Sequence, residues 1–184
     1  QGGAMTSTRY GTYTTSEDRP ALSFERRLSH PVEVVWRAIT ESGQLEQWFP
    51  SKVVVDELRP GGEMTFAFED MPLDAPSTMT GRVTEFEPPR RFAFYWGEDH
   101  LRFELEPLAG EEEDACLMRL TVLLDSREKA SRDAAGWHVC LDRLEELLGG
   151  EHGQAMTGVS EDWRELYEAY QGRGVPAGAP IPGD

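Results

Sequence analysis

The feature that most constrains the fold is a change of hydrophobic period close to Pro50. Before that residue, apolar side chains recur every three or four positions, which is typical of amphipathic helices. From residue 52 to residue 125, apolar and polar side chains alternate, which is typical of β-strands with one buried face. The connections between these segments are short, and short connections favour antiparallel pairing. The sequence therefore predicts a helical hairpin followed by a large antiparallel sheet.

A further alternating segment precedes the helical hairpin and brings the predicted number of strands to seven. In ALSFERRLS, the residues Leu22, Phe24 and Leu28 share one face, and Arg26 is the charged residue on that same face. Such an arginine either pairs with an acid or holds an anionic ligand, and the pattern leaves both readings open. The other six strands are predicted within KVVVDEL, EMTFAFED, TMTGRVTEFE, RRFAFYWG, HLRFELEP and ACLMRLTVLLD.

Helices are predicted from the spacing of apolar residues. Two short helices lie within residues 31–49, and a long one runs from Glu128 to Leu148, where Gly149 and Gly150 end it. Another short helix, within SEDWRELYEAY, carries an apolar stripe that must be buried somewhere. We expect this helix to pack against its own chain, and a homodimer interface is the alternative.

The predicted domain organisation has four parts. Residues 1–20 are polar and form a flexible arm, whose opening QGGA reads as an expression remnant before Met5. Residues 21–149 form the folded domain, and residues 150–171 form a C-terminal extension with the short amphipathic helix. Residues 172–184 are rich in glycine and proline and are predicted to be a disordered tail.

Net charge and composition argue against several classes of function. The formal net charge is −16, from 34 acidic and 18 basic residues, so nucleic acids and anionic membranes would be repelled. No apolar run reaches the roughly 20 residues that span a bilayer, and no signal peptide is recognisable, so a cytoplasmic location is predicted. Cys116 and Cys140 have no metal-ligand spacing and read as buried thiols. Neither a metal site, nor a cofactor, nor a catalytic motif is predicted.

Four motifs in a fixed order identify a family. HPVEVVWRAITESGQLEQWF, the GG before EMTFAF, GRVTEFEPPRRFAFYW and GWHVCLDRLEELL resemble the homologues of the heat-shock-protein-ninety ATPase activator, within the START and birch-pollen-allergen-like (SRPBCC) superfamily. The resemblance runs from about residue 22 to residue 148. It implies an α+β helix-grip fold, in which a curved seven-stranded antiparallel sheet wraps around a long C-terminal helix, with two short helices between strands 1 and 2.

The resemblance also implies a cavity between the sheet and the long helix, suited to a small hydrophobic molecule. Aromatic side chains from several strands converge on this space, and the alternative is that they fill it as an ordinary core. Trp48 is included because the second short helix flanks the cavity mouth in this fold, and Arg26 because its face is otherwise apolar. The candidate ligand-binding residues are Arg26, Trp48, Phe66, Phe68, Phe94, Trp96, Phe103, Trp137, Cys140 and Leu141.

Three functions are compatible with these observations. The first is non-enzymatic binding of a small hydrophobic ligand. The second, implied by the family resemblance alone, is a co-chaperone-like module that modulates a chaperone ATPase. The third is a cyclase or hydrolase acting on a hydrophobic substrate in the cavity. For that third function, His138 and Asp142 stand four residues apart on the long helix and form either a general base or an ordinary pair on the helix surface.

Overall fold

The computed structural model describes residues 10–16, 18–49, 51–67, 78–108, 115–149 and 161–179. The strands are β1 (Thr12–Ser16), β2 (Arg19–Leu28), β3 (Lys52–Val55), β4 (Glu63–Ala67), β5 (Thr78–Glu87), β6 (Arg91–Trp96), β7 (Asp99–Pro107) and β8 (Cys116–Leu123). The helices are α1 (Val32–Thr40), α2 (Ser42–Leu45), α3 (Ala130–Leu148) and α4 (Glu161–Gly172). A 3-10 turn, Arg127–Lys129, leads into α3.

These strands form one antiparallel sheet in the order β1-β2-β8-β7-β6-β5-β4-β3. Because side chains alternate across a strand, the pairing register decides which of them share a face. Phe24 lies opposite Leu120, and Leu120 lies opposite Phe103. All three are buried on the inner face of the sheet, the side from which α3 covers it. This arrangement confirms the predicted α+β helix-grip architecture.

The sheet has eight strands where seven are predicted, because residues 12–16 form β1. This strand lies in the segment 1–20 that is predicted to be a flexible arm, so that prediction is wrong for these residues. The sequence TYTTS has no apolar alternation, because β1 is an edge strand held by backbone pairing with residues 19–23 of β2. Asp18 turns the chain between the two strands with a φ of 62°, a conformation that aspartate tolerates better than most residues.

Residues 172–179 also differ from the prediction of a disordered tail. Ser131, in the first turn of α3, donates its backbone N–H to the Pro176 carbonyl at 2.8 Å and its hydroxyl to the Val175 carbonyl at 2.9 Å. The first N–H groups of a helix have no partner within that helix, and here the tail supplies one. The predicted tail is therefore ordered up to residue 179. Residues 180–184, like residues 1–9 of the predicted arm, lie outside the described residues.

The C-terminal helix α4 packs against α3 of the same chain, as expected. Gly136 of α3 faces Trp163 of α4, whose Nε1 lies 3.8 Å from the position that a Cβ on Gly136 would occupy. Trp163 is 6% exposed and Tyr170 is fully buried. The apolar stripe of α4 is thus covered within one chain, and a homodimer is not needed to bury it.

Candidate ligand-binding site

Five aromatic side chains meet between the sheet and α3, and we call them the aromatic cluster: Phe49, Phe66, Phe94, Trp96 and Trp137. The ring centroid of Phe49, just after α2, lies 5.4 Å from that of Trp137, 5.8 Å from Trp96 and 6.0 Å from Phe66. Phe66 stacks on Phe94 at 6.0 Å, and Trp96 meets Trp137 edge-on at 5.4 Å. Such separations are favourable for aromatic pairs. The structure thus brings four candidate residues together and adds Phe49.

The location of the aromatic cluster is set by the strand register and by one glycine. Phe66 on β4 lies opposite Val53 of β3 and Met79 of β5. At Gly81, further along β5, a Cβ would stand 2.1 Å from the Tyr95 carbonyl oxygen and 2.7 Å from Cε2 of Phe66. These distances are too short for any other residue, so Gly81 is what lets β5 approach β6 beside the Phe66 ring.

Trp96 is the member of the aromatic cluster that reaches solvent. Phe66 and Phe94 are 0% and 1% exposed, and Phe49 and Trp137 are 4% and 3% exposed. Trp96 is only partly buried, although it packs against the same core. The aromatic cluster therefore has a sealed end at Phe94 and an accessible end at Trp96.

Four other candidate residues lie in the sealed part of the core. Trp48 is 1% exposed, donates its indole N–H to the Ala38 carbonyl at 2.9 Å, and meets Phe103 edge-on at 6.0 Å. Cys140 and Leu141 are 1% and 0% exposed, and burial raises the pKa of Cys140 to about 12. A neutral thiol is accordingly the stable form, as expected in an apolar core. Another candidate, Phe68, lies outside the described residues.

Arg26 is buried and forms ion pairs with two acidic side chains. Its Nη1 lies 2.8 Å from Oδ1 of Asp142 and 2.7 Å from Oε2 of Glu145, and its side chain is 2% exposed. Asp142 and Glu145 stand three residues apart on α3 and therefore share the face that looks towards β2. Charge-assisted hydrogen bonds of this kind are stronger than neutral ones. Of the two readings left open for Arg26, the structure shows the pairing with acids.

The His138–Asp142 pair is present, and a tyrosine extends it. His138 Nε2 lies 3.7 Å from Oδ2 of Asp142, and its Nδ1 lies 2.9 Å from the phenolic oxygen of Tyr170. That oxygen also accepts the backbone N–H of Gly11 at 2.8 Å. Burial raises the pKa of Tyr170 to about 12, so the phenol stays protonated and can donate to His138. The sequence marked Tyr170 only as part of an apolar stripe, and its polar role depends on where α4 docks.

A surface groove with a volume of about 460 Å³ lies on the outer face of the sheet, opposite to the aromatic cluster. Its charges are of both signs and are close together: Arg91 lies 3.3 Å from Glu87 and 4.0 Å from Glu104. Because these charges offset one another, the groove does not favour an ion of either sign. The lining residues are Glu87, Pro88, Arg90, Arg91, Glu104, Leu105, Glu106, Leu117 and Arg119.

The described residues contain neither a cluster of possible metal ligands nor a helix that could span a membrane. Within the ranges given above, no three His, Cys, Asp or Glu side chains are grouped as a metal site would require. In those same ranges, no helix combines the length and the apolar composition needed to cross a membrane.

The fold is similar to those of several solved structures. EF2215, a conserved protein of unknown function from Enterococcus faecalis, is 21% identical over 94% of this chain and 92% of its own, with a TM-score of 0.67. CalU16 from Micromonospora echinospora is 24% identical over 88% of this chain and 94% of its own, with a TM-score of 0.64. A protein from Arthrobacter aurescens is 18% identical over 77% of this chain and 93% of its own, with a TM-score of 0.60. At these identities the likeness concerns the fold alone.

Sequence comparison identifies the family. Comparison with curated proteins finds no match. The sequence model of one family, described as activator of Hsp90 ATPase homolog 1-like protein, matches residues 29–149. That range begins just before α1, ends just after α3 and contains the whole aromatic cluster. The match confirms the resemblance seen in the four motifs. The chain belongs to the activator of Hsp90 ATPase homolog 1-like family.

Proposed function

We propose that the domain binds a small hydrophobic molecule against the aromatic cluster, without converting it. The observation that carries this proposal is the partial exposure of Trp96 in a cluster that is otherwise sealed from solvent. A flat apolar compound that stacks at this end would extend an existing set of ring contacts. Each such ring pair contributes about 0.5–1.5 kcal/mol beyond the burial of apolar area.

The charges around the aromatic cluster favour an uncharged ligand. None of the five members of the cluster carries an ionisable group. Arg26, the charged residue on the inner face of β2, is already engaged by Asp142 and Glu145. An ionised ligand would lose its hydration without gaining a counter-charge, and this is strongly unfavourable. We therefore propose an uncharged and largely aromatic compound as the ligand class.

The His138–Asp142 pair supports binding over catalysis. His138 is 5% exposed, and its two ring nitrogens face Asp142 and Tyr170. A general base needs a ring nitrogen within hydrogen-bond reach of the proton that it removes. Here one nitrogen faces Asp142 of the same helix and the other faces Tyr170 of α4, so a cyclase or hydrolase reaction has less support than binding.

Calorimetric titration with naphthalene and its derivatives, accompanied by native mass spectrometry, tests this proposal. Trp96→Ala is the informative variant, and Tyr95→Ala is its matched control, because Tyr95 precedes Trp96 on β6 but is 41% exposed on the outer face. We expect Trp96→Ala to weaken binding about tenfold or more, and Tyr95→Ala to change it by less than about twofold. Circular dichroism checks that both variants are folded. The proposal fails if the wild-type protein binds no compound up to its solubility limit.

A second proposal rests on the family description, which names an activator of the Hsp90 ATPase. In this case the domain would contact a chaperone of the Hsp90 class and change its rate of ATP hydrolysis. A steady-state ATPase assay with and without the protein measures this effect, and an unchanged rate removes the proposal. Trp96→Ala separates the two functions, because it should weaken ligand binding and leave stimulation of the ATPase intact.

A further inference from the structure

Ser51 carries a buried hydroxyl group with no hydrogen-bond partner among the described residues. The residue is 7% exposed. Native proteins rarely leave a buried polar side chain unpaired, because the group has lost its hydrogen bonds to water without replacing them. An exception of this kind needs an explanation. One explanation is that the hydroxyl forms its hydrogen bond only when a ligand is bound.

The pairing of β3 places Ser51 beside the aromatic cluster. Val53 of β3 is 2% exposed and lies opposite Phe66 of β4, so odd-numbered positions of this strand face inwards. Ser51 directly precedes β3 and has the same parity as Val53. Phe49, two residues earlier, stacks on Phe66 at a centroid distance of 6.0 Å, and two residues of chain span at most about 7 Å. The backbone of Ser51 therefore lies within about 7 Å of that of Phe49, a member of the aromatic cluster.

We infer that Ser51 is the hydrogen-bonding group of the ligand site, and that the ligand is a planar aromatic compound bearing an uncharged oxygen, either a hydroxyl or a carbonyl. This inference rests on the proposed binding function and adds a feature of the ligand to it. A serine hydroxyl both donates and accepts a hydrogen bond, so it can pair with either kind of oxygen. The aromatic rings contact and bury the planar part of the ligand, and the Ser51 hydroxyl favours compounds that carry the oxygen.

The experiment compares two probes, naphthalene and 1-naphthol, which differ by one hydroxyl group. Dissociation constants are measured for the wild-type protein, for Ser51→Ala and for Ser23→Ala. Ser23 is the matched control, because it is on β2 at a position that alternates with the buried Leu22 and Phe24. We expect Ser51→Ala to reduce the preference for naphthol over naphthalene about tenfold, through weaker binding of naphthol. Ser23→Ala should keep the wild-type preference.

The outcomes separate this inference from the function on which it rests. If both probes bind and the preference is the same in wild type and Ser51→Ala, the inference is wrong and the binding function stands. If neither probe binds the wild-type protein, both are wrong. Thermal unfolding of the ligand-free proteins adds an independent measurement: an unpaired hydroxyl predicts that Ser51→Ala unfolds at the same or a higher temperature than wild type. A clear decrease would show that the hydroxyl is paired within the protein and would overturn the inference.

Discussion

The imidazole Nδ1 of His138 lies 2.9 Å from the phenolic oxygen of Tyr170, which is 32 residues away in the chain. The same oxygen accepts the backbone N–H of Gly11 at 2.8 Å. A single hydroxyl group thus joins α3, α4 and the segment that leads into β1. Tyr10 adds to this junction, since its ring meets those of His138 and Tyr170 edge-on at 5.1 Å and 5.2 Å. Residues 10 and 11 and helix α4 are therefore held on the same side of α3.

Replacing Tyr170 should show how much this junction stabilises the fold. Tyr170→Phe keeps the ring but removes the hydroxyl that contacts His138 Nδ1 and the Gly11 N–H, and we expect the free energy of unfolding to fall by about 1–3 kcal/mol. Tyr167→Phe is the control, because Tyr167 stacks on Trp163 through its ring, which phenylalanine retains. Urea denaturation measures both variants. Equal losses would contradict a specific role for the Tyr170 hydroxyl.

Removing Arg26 should destabilise the protein more than removing an arginine from the outer face. Arg26 is 2% exposed, and Arg26→Ala removes its charge-assisted hydrogen bonds to Asp142 and Glu145, so we expect a loss of about 2 kcal/mol. Arg119→Ala breaks a pair with Glu25 in which the arginine side chain is 41% exposed, and exposed pairs contribute less than about 1 kcal/mol. Chemical denaturation in parallel gives both values. A loss at Arg26 no larger than that at Arg119 would refute this ranking.

The buried thiols should make the protein less stable at alkaline pH. Burial raises the pKa of Cys116 to about 11 and that of Cys140 to about 12, from an ordinary value near 9. Above pH 9 the unfolded chain releases both thiol protons whereas the folded chain keeps them, so a rise in pH favours unfolding. Between pH 9 and pH 11, each thiol lowers the free energy of unfolding by about 1.4 kcal/mol per pH unit.

Cys140→Ala isolates the contribution of one thiol. Its free energy of unfolding should fall less steeply with pH than that of the wild type. The two slopes should differ by about 1.4 kcal/mol per pH unit in the same range. Urea titrations at stepwise pH values measure the two slopes, and the comparison does not depend on the loss of packing at the mutated site. Identical slopes would mean that the Cys140 thiol ionises as readily in the folded state as in the unfolded one.

Gly81 should not tolerate a side chain. A methyl group there would stand 2.1 Å from the Tyr95 carbonyl oxygen, which belongs to the backbone of β6 and cannot turn aside, so we expect Gly81→Ala to cost about 2–3 kcal/mol of stability. Gly43→Ala is the control, because no atom lies within 4 Å of a Cβ at that position. Thermal unfolding compares the two variants. If Gly81→Ala is as stable as Gly43→Ala, the close approach of β5 and β6 is not required.

Most strands and helices were predictable because each leaves a local period in the sequence. Val35 and Ile39 recur at helical spacing and are fully buried in α1, and Phe92 and Phe94 occupy alternate positions of β6 and are buried there. The strand β1 could not be found in this way. Its side chains are mostly exposed, so its sequence carries no apolar period, and the pairing of its backbone with β2 decides its conformation.

The sequence predicted which residues form the candidate site, but it did not predict how far each of them is buried. Phe66, Phe94, Trp96 and Trp137 are brought together as the sequence predicts. Trp48 and Phe103 are as deeply buried as Phe66 and Phe94, whereas Trp96 is only partly buried. All of them occupy apolar faces, so their pattern is the same. Their exposure depends on how α2 and α3 are seated on the sheet, which is a property of the assembled layers. The unpaired hydroxyl of Ser51 left no signal in the sequence for the same reason.

By itself, the sequence determined the family, the order of the main elements and the face that each one buries. It also marked Arg26 as the charged residue on an apolar face. Only the tertiary structure decided the partners: Arg26 meets Asp142 across 116 residues, and Gly11 meets Tyr170 across 159 residues. The physical reason is that periodicity is a property of neighbouring residues, whereas these contacts arise from strand register and helix docking, in which many weak interactions across the whole domain act together.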